Sequence, residues 1–98
     1  MKLMISQPMH NKTNEQIRKE REQLVKNLEA EGYEVIDTII AEDTPEDCDQ
    51  AIYYLSKSIE YLSKVDAVYF MRGWEKARGC KIEHEVAVEY NKRLFYEN

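Results

Sequence analysis

The stretch Val65-Asp66-Ala67-Val68-Tyr69-Phe70-Met71 decides the fold. From Ala67 to Met71 it is apolar without alternation, and a strand that is hydrophobic on both sides must be covered on both sides, as in a parallel sheet between helices. Helical patterns flank it. Upstream, Cys48, Ile52, Leu55, Ile59 and Leu62 recur at i, i+4, i+7, i+11 and i+14, a core-facing stripe. Its expected start is Thr44-Pro45, with proline at the first helical position and Glu46 and Asp47 near the positive end of the dipole. Downstream, Arg72 to Arg78 forms a loop containing Gly73. A third helix then runs from about Gly79 to Asn91, and Arg93-Leu94-Phe95-Tyr96 forms a last strand.

Toward the N-terminus, Lys2 to Ser6 is a short apolar strand, broken by the loop Gln7-Pro8-Met9-His10-Asn11-Lys12 because proline lacks the ladder donor. Thr13 and Gln16 form a capping box. The helix behind it carries Ile17, Leu24, Val25 and Leu28 on one face, with a charged, solvated face opposite, and stops at Gly32. Tyr33 to Ile40, rich in β-branched residues, reads as the second strand and ends in the acidic turn Glu42-Asp43. Strands thus alternate with helices from residue 1 to 98, without repeats, low-complexity tracts or a linker. The expectation is one domain, a three-layer α/β sandwich with a four-stranded parallel sheet and three helices. Ligands of such sheets bind beyond the carboxyl ends of the strands where strand order reverses. If the first and third strands are neighbours, loops 7–12 and 72–78 face one another there.

Composition bounds the function. At 98 residues the chain holds one core, burying about two-thirds of the surface of its unfolded form, so a second copy is a natural supplement. Fourteen Lys+Arg against 19 Asp+Glu give a net charge of −5, which argues against duplex nucleic acid as a partner. No apolar run approaches the roughly 20 residues that span a bilayer. The opening Met1-Lys2-Leu3-Met4-Ile5 meets Ser6, Gln7 and Pro8 before a signal-type apolar region forms, so a cytoplasmic protein without membrane contact is expected. Cys48 and Cys80 make no Cys-x-x-Cys pair, and reduced thiols are the default.

On the third helix Cys80, Glu83, Val86, Ala87 and Tyr90 share one stripe, placing a carboxylate where a core side chain is due. Burying an unpaired charge costs several kcal/mol, so Glu83 needs a partner, a cavity or a protonation change. Near the helix start the dipole helps to keep it ionised. An ionised carboxylate facing a pocket is what a glycosidic nucleophile requires; the alternative is a glutamate tied to Arg72, Arg78 or a lysine, or one lying over the helix edge.

Several segments taken together, Met1 to Met9, Glu31-Gly32-Tyr33-Glu34-Val35-Ile36-Asp37, Asp66-Ala67-Val68-Tyr69-Phe70, and Gly79-Cys80-Lys81-Ile82-Glu83-His84-Glu85-Val86-Ala87, resemble the small nucleoside 2-deoxyribosyltransferase-like proteins over nearly the whole chain. The resemblance implies a flavodoxin-like or Rossmann-like sheet. It also implies either exchange of bases on 2-deoxyribose or release of bases from nucleoside 5′-monophosphates, with the glutamate of Gly-x-x-x-Glu as nucleophile. That pattern falls on Gly79 and Glu83. The transferases carry an aspartate six residues before the nucleophile, where this chain has Ala77, and many members read Gly-Pro where this chain has Gln7-Pro8. A binding protein that sequesters or senses a nucleotide-derived metabolite without turnover is therefore the second reading.

Between Met71 and His84, Arg72, Lys76, Arg78 and Lys81 stand against Glu75 and Glu83, a local +2 in a chain whose remainder carries −7. Such a cluster at a helix start either binds a phosphate or pairs with surface carboxylates. Trp74 either stacks a base or covers the edge of a core. Ser6 and Gln7 either donate to sugar or base, or cap the first strand. The expected substrate contacts are Ser6, Gln7, Pro8, Met9, Arg72, Gly73, Trp74, Arg78 and Gly79, around a catalytic Glu83. Cys80 and His84 resemble half a zinc site, but without two further ligands neither metal nor cofactor is called for. Tyr54, Ser58 and Tyr61 form a second stripe on the second helix, suited either to a homo-oligomeric interface or to packing beneath a loop.

Overall fold

The computed structural model describes residues 1–36 and 46–98. Four strands and three helices alternate: β1 (Lys2–Ser6), α1 (Asn14–Ala30), β2 (Glu34–Val35), α2 (Gln50–Leu62), β3 (Ala67–Phe70), α3 (Arg78–Glu89) and β4 (Arg93–Tyr96), with a 3-10 turn at Trp74–Lys76 between β3 and α3. The strands form one all-parallel sheet in the order β2-β1-β3-β4. This is the expected three-layer α/β arrangement of the flavodoxin-like kind. Strand order reverses between β1 and β3, which pair from Leu3 with Ala67 to Ser6 with Phe70. Asp66 fixes that register: its carboxylate accepts the Lys2 N–H at 2.9 Å, and its own N–H donates to the Lys2 carbonyl at 2.9 Å.

Alternation along β1 sorts the two cores, because successive side chains point to opposite faces. Leu3 and Ile5 pack with Leu28, Ala67 and Met71 beneath α1. Met4 packs with Leu62, Val68, Phe70 and Ala87 beneath α2 and α3. Continuing the alternation, Ser6 faces α3 and Gln7 faces α1. Both are buried, so the carboxyl end of β1 delivers one polar group to each layer.

The capping box is present as read: Thr13 accepts the Gln16 N–H at 3.1 Å and the Gln16 side chain accepts the Thr13 N–H at 2.8 Å. Thr13→Ala should cost about 1 kcal/mol, visible as a lower urea midpoint at unchanged slope. Gly32, at φ +98° just beyond α1, takes the left-handed conformation that ends helices and disfavours a side chain.

Four expectations need correction. The second helix does not include Glu46 or Asp47. It starts at Gln50, where Asp49 caps it by accepting the Ile52 N–H at 3.1 Å, and this side-chain cap sets the boundary rather than the proline signal; Thr44 and Pro45 lie outside the described residues. Cys48 is exposed and Ile52 is 65% exposed, so of the expected stripe it is Ile59 and Leu62 that reach the core. Tyr90 is 73% exposed because α3 ends at Glu89 and the tyrosine falls past the layer it was expected to cover. The tyrosine stripe is half-buried rather than exposed: Tyr61 packs against the core and Tyr54 meets Tyr53 edge to face at 5.9 Å. The second strand is seen as Glu34–Val35; its expected continuation over 37–40 and the turn Glu42-Asp43 lie outside the described residues. No helix among the described residues is long and apolar enough to cross a membrane.

Candidate active site

At the carboxyl end of β1, where strand order reverses, the Glu83 carboxyl is buried, 8% exposed, against the sheet. The Ser6 hydroxyl donates to its Oε1 at 2.7 Å. Burial pushes the Glu83 carboxyl above the usual carboxylate range, while hydrogen bonds from Ser6 and from Ser58 of α2, and the positive charge of Arg21 in α1, pull it back down. The helix dipole is too distant to dominate: Glu83 follows the first residue of α3 by five positions, about a turn and a half, and the dipole effect fades within the first turn.

Arg21 is only 5% exposed. It donates to the Gln7 Oε1 at 3.3 Å, and the Gln7 Nε2 donates to the Ile17 carbonyl at 2.9 Å. Gln7 therefore ties β1 to α1. Cys80, one turn before Glu83, lies in hydrogen-bonding reach of Ser6, and burial pushes its thiol up to about 11. Since the thiolate is the reactive form, a disulfide-exchange reagent at pH 8 should modify the exposed Cys48 quickly and Cys80 only on unfolding. Two fast thiols in the native protein would contradict this environment.

Sequence reading missed Arg21, and placed Ser58 on the tyrosine stripe without linking it to Glu83, although both carried a signal. Arg21 stands four residues after Ile17 and three before Leu24, and Ser58 three after Leu55 and four before Leu62. Each is a polar residue on an apolar stripe, the same anomaly that singled out Glu83.

The two loops expected to face each other do so. Gly73 adopts φ +91°, and a side chain there would also meet Pro8, whose Cγ lies 3.8 Å from the position of a Cβ. Met9 is exposed. Gly79 lies in the first turn of α3 with no atom within 4 Å of a would-be Cβ, so packing within the chain does not demand glycine. Ala77 precedes α3 and offers no capping side chain.

The basic cluster disperses. Arg72 turns to the C-terminal end, its N–H donating to Glu97 at 2.7 Å and its guanidinium to the Asn98 carbonyl, whereas Arg78 is exposed at the first position of α3. Trp74 takes the packing role. Its indole stacks on the His84 ring at 4.1 Å and 23° and lies 5.3 Å from Phe70, and His84 Nε2 meets the Tyr96 hydroxyl at 2.7 Å. No group of three or more metal-ligating side chains occurs among the described residues. Two surface grooves of about 480 Å³ lie elsewhere, one along α1 and β2 lined by Arg18, Arg21 and Val25, the other between α2 and α3 lined by Ile59, Val86 and Tyr90.

Residues 1–96 match the model of a family described as a domain of unknown function (DUF4406). No curated protein matches the chain.

Proposed function

The chain belongs to the DUF4406 family, and from its buried carboxyl and the resemblance of its sequence we propose that it is a nucleoside 2-deoxyribosyltransferase-like protein that cleaves the N-glycosidic bond of a nucleoside 5′-monophosphate through Glu83. The observation that carries this reading is a carboxyl buried at the switch point of a parallel sheet and supplied with hydroxyl donors. Perturbed acids in such positions mark candidate sites, and open sheets bind ligands there. The open space beside Gly79 suits a sugar approaching the carboxyl, and the uncapped first turn of α3 with Arg78 at its head suits a phosphate.

In the reaction, a Glu83 carboxylate oxygen attacks the anomeric carbon. The bond to the base breaks, its electron pair leaving with the base, which takes a proton from water. Hydrolysis of the glycosyl ester, or attack by a second base, frees Glu83 with retention overall. In this reading Ser6 holds the carboxyl, Gln7 ties β1 to α1, and Pro8, Met9, Gly73 and Gly79 are the residues that would border the bound substrate. The same reading expects a homo-oligomer working in the cytoplasm.

Incubation with a panel of deoxynucleosides, ribonucleosides and their monophosphates tests the reading. Free base released by the wild type and absent with Glu83→Gln supports it, and intact substrates throughout overturn it. One observation favours a non-catalytic nucleotide-binding protein: Ala77 stands where the transferases carry the acid that assists the leaving base. Calorimetric binding with quantitative recovery of intact nucleotide is the result expected of that alternative.

A further inference from the structure

We propose that the outer edge of β4 is the docking surface for a second copy of this chain, the two β4 strands pairing antiparallel about Phe95 and joining their sheets. The inference stands on the strand edge and is independent of the glycosidic reading above. β4 ends the sheet order β2-β1-β3-β4, and among the described residues no strand pairs with its far side.

Which backbone groups face outward follows from the register. The Arg93 N–H donates to the Asp66 carbonyl at 3.0 Å, and the Glu97 N–H to the Phe70 carbonyl at 2.9 Å. Backbone groups alternate along a strand, so Arg93, Phe95 and Glu97 turn theirs toward β3, while Leu94 and Tyr96 present N–H and C=O on the free edge. An unpaired row of this kind is a template for another strand, commonly blunted by proline, a bulge or charge. This edge has no proline, and its register against β3 is unbroken.

Setting Leu94 opposite Tyr96 of the second copy engages every outward group of both strands, because each such antiparallel pair exchanges both of its N–H···O bonds. Setting Leu94 opposite itself would instead bring Tyr96 against Lys92, whose N–H already donates to the Ala87 carbonyl. The favoured register also arranges the side chains. Phe95 falls opposite Phe95, and by two-fold symmetry Arg93 falls opposite Glu97 at both ends. Phe95 is half-buried on the α1 side, where Tyr33 meets it edge to face at 5.6 Å, so a second phenyl would cover it further. Arg93 is exposed. Glu97 accepts the Arg72 N–H at 2.7 Å, which steadies its carboxylate and leaves acceptor positions free. On the other face Leu94 meets Tyr96, which is 45% exposed. Charge on an edge ordinarily discourages pairing, but opposite charges at mirrored positions select this one.

Sedimentation equilibrium of the wild type should show a concentration-dependent dimer. Arg93→Glu and Glu97→Arg each set like charges opposite one another at both ends and should weaken it roughly tenfold or more. An equimolar mixture of the two variants should recover the wild-type affinity, since every mirrored pair then has opposite signs. In the dimer the Leu94 and Tyr96 amides should exchange slowly with deuterium, and in Arg93→Glu they should exchange as an open edge does. Should Glu97→Arg not fold for want of its bond to Arg72, Arg93→Lys takes the place of the mixture and should dimerise as the wild type does. A wild type that stays monomeric up to millimolar concentration overturns the inference. So does a dimer indifferent to Arg93→Glu, whose interface would lie elsewhere, as on the Tyr54 and Tyr61 stripe. Base release is read in a separate assay, so failure of either reading leaves the other standing.

Discussion

Replacing Glu83 by glutamine should lower base release by about three orders of magnitude or more, the scale of loss when a covalent nucleophile is removed, and should at the same time make the protein more stable relative to wild type as pH rises. Burial raises the Glu83 carboxyl in the folded state above its unfolded value. Between those two values the native protein binds more protons than the unfolded chain, so wild-type stability falls as pH climbs through the folded value and is unpenalised below the unfolded one. Glutamine has nearly the same shape, retains an acceptor for Ser6 and carries no such dependence. Urea midpoints of the two proteins should coincide in acid and separate in favour of Glu83→Gln toward neutral and alkaline pH. Curves that stay parallel would show that the donors around Glu83 cancel its burial, and a wild type that gains on the variant would show that they outweigh it. The paired result, activity lost and stability gained, is that of a group kept for chemistry rather than for folding.

Much of this arrangement was legible in the chain itself, because its strongest local signals agree with its tertiary needs. The unbroken apolar run around Val68 and Phe70 states that β3 is covered on both faces, and the Thr13 and Gln16 box fixes the start of α1. Where local signals compete, reading fails. Pro45 and Asp49 both announce a helix start, and the described structure follows Asp49 because its carboxylate reaches the Ile52 N–H. Arg21, and a site role for Ser58, escaped notice for a different reason: a polar residue on an apolar stripe signals that a partner is needed without saying which, and for Arg21 that partner, Gln7, lies distant in sequence. The fate of Arg72 and Trp74 is likewise set by partners far along the chain, Asn98 and His84, which no local window contains.

Phe70→Ala should be the most damaging single truncation in the sheet. Phe70 is fully buried at the end of β3, and its ring lies 4.9 Å from His84, 5.3 Å from Trp74 and 5.7 Å from Tyr96. Removing a buried phenyl costs about 3–5 kcal/mol when the surroundings cannot collapse into the space, against about 5–15 kcal/mol for a whole domain. Collapse is unfavourable here. Trp74 and His84 are stacked on each other, and His84 is tied to the Tyr96 hydroxyl, so either ring can fill the gap only by breaking a contact of its own. The urea midpoint should therefore fall by a large fraction of its value, whereas Tyr90→Ala, at a side chain 73% exposed, should shift it by no more than about 0.5 kcal/mol equivalent. The same variant connects stability to the site. Trp74 begins the turn that follows Gly73, and Gly73 abuts Pro8, so loosening the aromatic stack loosens the loop that packs against the first loop. Under conditions where Phe70→Ala remains folded, Trp74 fluorescence should move toward that of exposed indole. Fluorescence and midpoint both close to wild type would mean that the four rings support neither the core nor the loop.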